Sequence, residues 1–199
     1  MDSAMRSSAP DAPDSVKILI AGGFGVGKTT FVGSVSEVDP LSTEAPLTAA
    51  SEQVDDISKV AGKTTTTVAM DFGRITLDRI VLYLFGTPGQ DRFWFMWDDL
   101  VRGAIGAIVL ADTRRIEDSF AAVDFFEERA TPFIVGLNQF PDAFSYSDDA
   151  VRDSLELRPD TPVVRLDALD KKSCRDALVA LIQHRLGPSM TTTERAGHQ

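Results

Sequence analysis

The stretch GGFGVGKT, residues 22–29, follows the apolar run VKILIA, residues 16–21, and leads into a segment of helical character. It fits the pattern GxxxxGK(S/T), in which glycines let the backbone curl so that successive N–H groups point at phosphate oxygens. The following helix adds its positive end, Lys28 neutralises the β- and γ-phosphates, and the Thr29 hydroxyl holds Mg²⁺. The stretch therefore predicts a phosphate-binding loop formed by Gly22, Phe24, Gly25, Val26, Gly27, Lys28, Thr29 and Thr30.

A glycine-rich strand-to-helix turn with a surface lysine is the alternative interpretation of this stretch. The apolar strand before it and the helix after it favour a phosphate loop, because that is the context in which the pattern binds phosphate. The pattern is common to GTPases, ATPases and kinases, so it does not by itself select among them.

Strand-like apolar runs alternate with helix-like patterns along the rest of the chain. Strands are expected at 16–21, 66–77, 79–85, 104–112, 132–137 and 163–166, and helices at 29–35, 91–101, 116–129, 148–155 and 171–186. This alternation predicts an α/β fold, a doubly wound and mostly parallel sheet of six strands with helices on both faces. The two strands around Asp78 predict a hairpin that places one antiparallel strand at the edge. In such sheets ligands lie beyond the carboxyl ends of the strands.

Length and composition fit one domain with short tails. The chain has 199 residues, of which 43% are hydrophobic and 25% charged. Its formal net charge of −10 argues against nucleic-acid binding as the main activity, since that requires a basic face. The single cysteine, Cys174, excludes an internal disulfide and suits a reducing cytoplasm. Residues 1–14 and 189–199 are predicted to be flexible tails around a domain at 15–188. Apolar runs far shorter than about 20 residues predict no membrane insertion, so membrane contact would come through a partner.

A second motif, FGTPGQ at residues 85–90, follows the third predicted strand. Together with the phosphate loop it resembles the Ras-like small GTPase superfamily, in which a strand ends in D-x-x-G-Q. The resemblance implies that the Gly89 N–H senses the γ-phosphate and that Gln90 orients the attacking water. Gly86 stands where that family has the aspartate that holds Mg²⁺ through a water, a departure that bears on metal binding. A Pro-Gly turn with a solvated glutamine is the alternative.

A long polar connection, residues 36–63, separates the first helix from the second strand, and such connections are often functional. Between Glu37 and Asp56 it carries six acidic residues and no Lys or Arg, which suits a solvated loop or a partner surface. It leads into TTTTVAMDF, whose last six residues resemble the T-x-x-x-D-F of many small GTPases. The resemblance implies that Thr67, or else Thr66, binds Mg²⁺ and the γ-phosphate. Four threonines that begin a β-strand are the alternative.

Guanine is recognised in that superfamily by N-K-x-D after the fifth strand, where the aspartate accepts hydrogen bonds from two guanine N–H groups. The corresponding stretch here is NQFPD, residues 138–142. Asn138 matches, and Gln139 replaces the lysine but keeps an aliphatic stem that can cover the base. Pro141 takes the aspartate position, and Asp142 follows one residue later.

The superfamily's S-A-K loop corresponds here to DAL, residues 167–169. The resemblance implies that the Ala168 N–H meets the guanine oxygen, with Leu169 beside the base. Guanine is therefore expected over adenine, mostly from the overall resemblance, while Asn138 and Asp142 can equally be turn residues.

The aromatic segment FWFMW, residues 93–97, follows the second motif. At helical spacing Phe93 and Trp97 can face the core together with Leu100 or Val101. Trp94 and Met96 cannot then be buried on the same side. The surplus is expected to form an exposed patch beside the motif, which suggests a protein partner.

Residues 63–73 and 84–93 narrow the resemblance to the bacterial small GTPases of actinobacterial conservons, which are related to the gliding-motility MglA group. The likeness extends over residues 15–188. It implies binding of GTP and GDP with Mg²⁺ and slow hydrolysis of GTP, with Lys28 and Gln90 as catalytic residues. It also implies two protein partners, a roadblock-type regulator and a membrane sensor-kinase-like protein.

A nucleotide-controlled signalling switch is the function that these patterns predict. No arginine finger in cis is evident from the sequence, although Arg92 is close to Gln90, so slow turnover is expected. Phe24 lies where the γ-phosphate and an inserted arginine meet, and it is predicted to limit access of such an arginine. The alternatives are a catalytically weak nucleotide-binding scaffold, which Gly86 and Pro141 favour, and a P-loop kinase or ATPase, which would need an arginine-rich lid.

Overall fold

In the computed structural model, a seven-stranded sheet lies between helices on both of its faces. The structure describes residues 13–39, 41–46, 67–89, 91–141 and 143–187. The strands are β1 (Asp14–Ala21), β2 (Leu41–Pro46), β3 (Thr67–Leu77), β4 (Ile80–Gly86), β5 (Ala104–Ala111), β6 (Phe133–Asn138) and β7 (Val163–Leu166). The helices are α1 (Lys28–Val35), α2 (Trp97–Val101), α3 (Phe120–Glu128), α4 (Asp148–Ser154) and α5 (Lys171–Leu186), and 3₁₀ turns at Asp91–Met96 and Ile116–Ser119 precede α2 and α3.

The strand order is β2-β3-β4-β1-β5-β6-β7. The strands from β4 to β7 in this order are parallel, and β3 runs antiparallel to both β4 and β2. The predicted α/β sheet, mostly parallel with one antiparallel strand, is confirmed. Its predicted edge position is corrected, because β2 pairs with β3 and becomes the outer strand. The sequence LSTEAP has no apolar alternation, so this pairing follows from the open hydrogen-bonding edge of β3 rather than from a local signal.

Strand β1 buries side chains on both faces, as a central parallel strand does. Ile18 and Ile20 pack in the core under α1 and α5, whereas Leu19 packs in the core under α2 and α3. Successive side chains of a strand point to opposite faces, so the run VKILIA supplies both cores at once. The carboxyl end of β1 is thereby held rigidly in the sheet, and the glycine-rich loop starts there.

Helix α5 matches its predicted bounds because both of its ends have clear signals. The Asp170 carboxylate accepts hydrogen bonds from the backbone N–H groups of Lys172 and Ser173 and caps the start. Gly187, with φ 69°, ends the helix. Of the predicted apolar face, Cys174, Leu178 and Leu181 are buried, and Ile182 is half-buried.

Most of the predicted domain, 15–188, lies in the described residues, and the predicted tails lie almost entirely outside them. Strand β1 already begins at Asp14, one residue before the predicted domain start. None of the helices in the described residues has the length and apolar character needed to cross a membrane.

Candidate nucleotide site

The glycine-rich loop joins the end of β1 to the start of α1, as predicted. Gly22 and Gly27 have φ angles of 127° and 103°, a region that other residues rarely adopt. Both are also crowded: a Cβ on Gly22 would lie 2.3 Å from the Leu110 carbonyl oxygen, and one on Gly27 would lie 2.6 Å from Asn138 Nδ2. Gly27 gives α1 no side-chain cap, so no capping side chain competes with an anion for the first N–H groups of α1.

Lys28 lies folded against the loop that precedes it. Its Nζ donates hydrogen bonds to the carbonyl oxygens of Gly22 at 2.9 Å and Gly23 at 2.6 Å. Burial lowers the pKa of Lys28 to about 8, and the charge of Asp71 acts in the opposite direction. The ammonium group therefore lies inside the loop. A short movement of the side chain would bring it to a phosphate held by the same loop.

The second motif closes over this lysine. A Cβ on Gly89 would lie 2.6 Å from Lys28 Nζ and 3.0 Å from the Gly23 carbonyl oxygen. Only glycine fits between the two segments without a shift. The structure thus brings residue Gly89 onto the phosphate loop, whereas Gln90 lies outside the described residues.

A carboxylate from strand β3 lies between Thr29 and Gly86. Thr29 Oγ1 donates a 2.8 Å hydrogen bond to Asp71 Oδ2. A Cβ on Gly86 would lie 2.9 Å from both Cβ and Oδ2 of Asp71, so the carboxylate fills the space in front of that glycine. The β3–β4 pairing ends at Phe72 and Phe85, the residues that directly follow Asp71 and precede Gly86, so the register brings these two close together. The T-x-x-x-D-F pattern contains Asp71, but its role becomes visible only once the hairpin register is known.

The oxygen atoms of Thr29 and Asp71 suit Mg²⁺, which is bound by one or two carboxylates together with phosphates and waters. The described residues contain no group of three or more His, Cys, Asp or Glu that could hold a metal by themselves. Thr67, the other predicted ligand, begins β3 and pairs with Pro46 of β2. The position of its hydroxyl, like that of Thr66, lies outside what the structure describes.

Asn138 connects the phosphate loop to the loop after β7. It lies at the end of β6, is buried, and donates from Nδ2 to the Val26 carbonyl oxygen at 2.9 Å. Its Oδ1 accepts a hydrogen bond from the Ala168 N–H at 3.0 Å. The predicted contact of that N–H with a guanine oxygen would therefore require Asn138 to release it.

Of the remaining predicted base residues, Gln139 and Leu169 directly follow Asn138 and Ala168 in the chain. Gln139 is exposed, and the Leu169 side chain is 81% exposed although it is apolar. Pro141 is exposed, and Asp142 lies outside the described residues. An exposed leucine and an exposed glutamine stem beside a buried asparagine are surfaces that a planar base can cover.

The other predicted loop residues differ in burial. The Val26 side chain is buried in the core, so only the backbone of Val26 is available to a phosphate. Thr30, on the first turn of α1, and Gly25 are both exposed. The Phe24 side chain is 66% exposed at the mouth of the loop.

The aromatic segment positions the second motif. Phe93, Trp97 and Leu100 are buried, as predicted. Trp94 stacks on Trp97 with ring centroids 4.4 Å apart, and the Trp97 indole N–H donates to the Pro88 carbonyl oxygen at 3.3 Å. The exposed member is Phe95, rather than Trp94 or Met96, because the segment begins as a 3₁₀ turn with three residues per turn.

A family described as "conserved hypothetical ATP binding protein" matches residues 20–188. The chain belongs to this family. The match begins inside β1 and includes the phosphate loop, Asp71, the second motif and the Asn138 junction. An uncharacterised protein of Methanocaldococcus jannaschii is 29% identical over 128 residues, which are 63% of this chain and 71% of that protein.

Solved structures of FeoB iron transporter domains share the fold of this family member. The G domain of T. maritima FeoB superposes with a TM-score of 0.58 at 19% identity, over 85% of this chain and 99% of that one. The Methanococcus jannaschii FeoB G domain gives 0.58 at 13%, over 87% and 99%. The cytosolic domain of T. maritima FeoB in its GMPPNP form gives 0.60 at 17%, over 89% and 66%. The predicted P-loop GTPase fold is confirmed, and the chain is a P-loop nucleotide-binding protein; the narrower likeness to conservon GTPases stays a prediction.

Proposed function

We propose that the protein binds GTP with Mg²⁺, hydrolyses it slowly to GDP, and acts as a nucleotide-controlled switch. The observation that carries this proposal is the approach of Gly89 to Lys28 within the phosphate loop. A segment that touches the group binding the terminal phosphates can change position when the γ-phosphate is lost.

The switch follows from the contacts of Lys28. To reach a phosphate, its Nζ exchanges the Gly22 and Gly23 carbonyl oxygens for phosphate oxygens. Gly89 packs against the same ammonium group, so the exchange alters the surface on which Gly89 rests. Binding of the triphosphate is thereby coupled to the segment that precedes Gln90, the residue we assign to orienting the attacking water.

Thr29 and Asp71 would hold Mg²⁺, with Thr67 at the start of β3 as a further ligand. When bound, the ion neutralises charge that develops on the β- and γ-phosphates. The 2.8 Å hydrogen bond between Thr29 and Asp71 keeps both oxygen ligands on one side of the loop, which supports this assignment. Asp71 thus takes the role that a carboxylate at residue 86 has in the superfamily.

Guanine is the base we assign. Asn138 would hold the two loops of the base site together, Gln139 and Leu169 would cover the ring, and Asp142 would accept hydrogen bonds from the guanine N–H groups. Adenine is the second candidate, and two observations favour it. The family description names ATP, and Pro141 at the base-reading position has no hydrogen-bonding side chain.

Protein partners at the switch segments complete the proposal. Phe24 and Phe95 expose aromatic side chains on segments that flank Gly89, and exposed aromatic residues are common in protein interfaces. By resemblance, the partners we assign are a roadblock-type regulator and a sensor-kinase-like protein, through which the switch would reach a membrane.

The test measures nucleotide identity and turnover together. The nucleotide that copurifies with the protein is identified, and fluorescent GTP, GDP and ATP are then titrated with Mg²⁺ and with EDTA. We expect GTP to bind at least about tenfold more tightly than ATP, to require Mg²⁺, and to release phosphate slowly. Lys28→Ala should abolish triphosphate binding, whereas Lys172→Ala, which removes an exposed lysine paired with Asp176, should not.

Each other outcome selects a rival. ATP preference with phosphate release would replace GTP by ATP as the substrate. Tight binding without phosphate release would leave a scaffold. If far-UV circular dichroism and tryptophan fluorescence are the same in the GDP and GTP forms, the protein is not a switch. Trp94 and Trp97 would report the change, because they lie against the segment that should move.

A further inference from the structure

An arginine from a distant part of the chain lies on the phosphate loop. Arg115 follows β5, immediately before the 3₁₀ turn Ile116–Ser119. Its Nη2 donates a 3.0 Å hydrogen bond to the Phe24 carbonyl oxygen and lies 3.7 Å from where a Cβ on Gly25 would be. The guanidinium therefore rests against the peptide units that form the phosphate cradle.

Arg115 is weakly held in this position. Besides the Phe24 carbonyl, Arg115 pairs with Asp118, with Nη1 and Oδ2 3.5 Å apart and both side chains almost half exposed, and its charge also acts on Asp112, which Arg114 holds. Exposed pairs of this kind contribute little, since water screens them and the side chains lose entropy. A neutral carbonyl and a screened carboxylate are acceptors that a phosphate oxygen can replace.

The adjacent Arg114 shows the contrast. It binds Asp112 through Nε and Nη2, with Nη2 and Oδ2 2.7 Å apart, and the Asp112 side chain is only 3% exposed. Its guanidinium also stacks on the Phe140 ring at 4.0 Å. Arg114 is thus fixed by a buried ion pair and a ring, whereas Arg115 can change partners without leaving a charge buried and unpaired.

We propose that Arg115 is a catalytic arginine supplied in cis, which moves from the Phe24 carbonyl to the terminal phosphoryl group when the triphosphate is bound. This proposal rests on the hydrolysis proposed above. The water oxygen bonds to the γ-phosphorus while the bond to the β,γ-bridging oxygen breaks. That oxygen leaves on the diphosphate with the electron pair, and the proton of the water passes to phosphate and solvent. Arg115 stays protonated throughout and offsets the charge that develops on the phosphoryl and bridging oxygens.

A purely structural role has a distinct explanation that the test must separate. The Asp118 side chain lies beside the loop, since a Cβ on Gly23 would be 2.7 Å from Asp118 Cβ. Its negative charge would repel a phosphate bound in the loop. In the structural explanation, the sole role of Arg115 is to neutralise that charge. The double variant Arg115→Gln/Asp118→Asn removes both charges and tests this directly.

The experiment measures single-turnover phosphate release, GTP and GDP affinity, and formation of the GDP–aluminium fluoride complex. We expect Arg115→Gln to lower kcat at least about tenfold, to change both affinities less than about threefold, and to abolish the aluminium fluoride complex. The double variant should stay as slow. Arg115→Lys, which keeps the charge without the planar fork, should be intermediate.

Arg102→Gln is the matched control. Arg102 forms the same kind of i,i+3 pair, with Nη1 3.0 Å from Asp99 Oδ1, but it precedes β5 and so lies at the opposite end of the parallel strands from the loop. It should turn over at the parent rate, and thermal unfolding should show that all variants fold.

Three results would overturn the inference: an unchanged kcat in Arg115→Gln, a kcat restored by adding Asp118→Asn, or an equal loss of affinity for GTP and GDP with kcat preserved. If the parent protein releases no phosphate from GTP or ATP, the proposed hydrolysis and the role of Arg115 both fail. Phosphate release by the parent protein is measured before any variant is compared. A failure of the proposed hydrolysis is therefore distinguished from a failure of the role of Arg115.

Discussion

The phosphate end and the base end of the candidate site are built in different ways. At the phosphate end, one short stretch forms a backbone cradle, and Lys28 lies on carbonyl oxygens five and six residues before it. At the base end, Asn138 joins Val26 to Ala168, so three distant parts of the chain meet through one side chain. Phosphates are bound chiefly by backbone N–H groups, which any sequence with suitable glycines can offer, whereas a base must be recognised by particular side chains. The glycine-rich loop accordingly keeps the superfamily pattern, whereas the base end departs from it.

The largest expected effect tests the phosphate end, where we propose that Asp71 supplies the carboxylate missing at residue 86. Asp71→Ala should lower Mg²⁺ affinity in the nucleotide complex about 100-fold, because the carboxylate next to the Thr29 hydroxyl is lost. The double variant Asp71→Gly/Gly86→Asp moves the carboxylate to the facing strand and should restore affinity to within about tenfold. Mg²⁺ titration of fluorescent-nucleotide release measures both.

Asp124→Ala, an exposed aspartate on α3, is the control for this exchange and should bind Mg²⁺ as the parent does. Gly86→Asp alone should destabilise the fold, since its side chain would meet Asp71 within 2.9 Å. If the double variant binds Mg²⁺ no more tightly than Asp71→Ala, the two positions are not interchangeable. Asp71 would then serve only to accept the hydrogen bond from the Thr29 hydroxyl.

The next effect tests the junction at the base end. Asn138→Ala removes the donor to Val26 and the acceptor for Ala168, and it leaves both backbone groups buried without partners. We expect a loss of about 2 kcal/mol in unfolding free energy and weaker binding of every nucleotide. Asn138→Asp keeps an acceptor for Ala168 but buries a carboxylate with one oxygen facing the Val26 carbonyl oxygen, so it should be at least as destabilising as Asn138→Ala in chemical denaturation. Equal stability of all three proteins would show that Asn138 is not what holds the two ends together.

What the sequence could and could not predict follows the same division. The phosphate loop and α5 are local: their glycines, the Asp170 cap and Gly187 act within a few residues, so their pattern is enough. Strand β2 was not predicted because LSTEAP pairs through the open edge of β3, which no window around residues 41–46 contains. The positions of Asp71 and Arg115 depend on strand register and on a contact between residues 91 apart, and neither has a local signal.

A third prediction sharpens the base end. Pro141→Asp places a carboxylate at the position where the superfamily reads guanine, on an exposed residue just after the Asn138 strand. If guanine lies against Gln139 and Leu169, the preference for GTP over ATP should rise about tenfold, because the new acceptor meets N–H groups that adenine lacks. Competition between the two nucleotides measures it, and Pro159→Asp, a proline in the loop before β7, is the control. A rise in ATP affinity instead would indicate that the base lies elsewhere.

The smallest expected effect returns to the mouth of the phosphate end. Phe24 exposes two thirds of its side chain there, while its carbonyl holds Arg115, and Phe24→Gly removes the ring but keeps that carbonyl. If the ring limits access of an arginine from outside, free guanidinium ion at millimolar concentration should raise the GTPase rate of Phe24→Gly about threefold and leave the parent rate unchanged. Phe144→Gly, an equally exposed phenylalanine after β6, should behave as the parent. Equal GTPase rates of Phe24→Gly with and without guanidinium would show that the Phe24 ring does not limit access of an outside arginine.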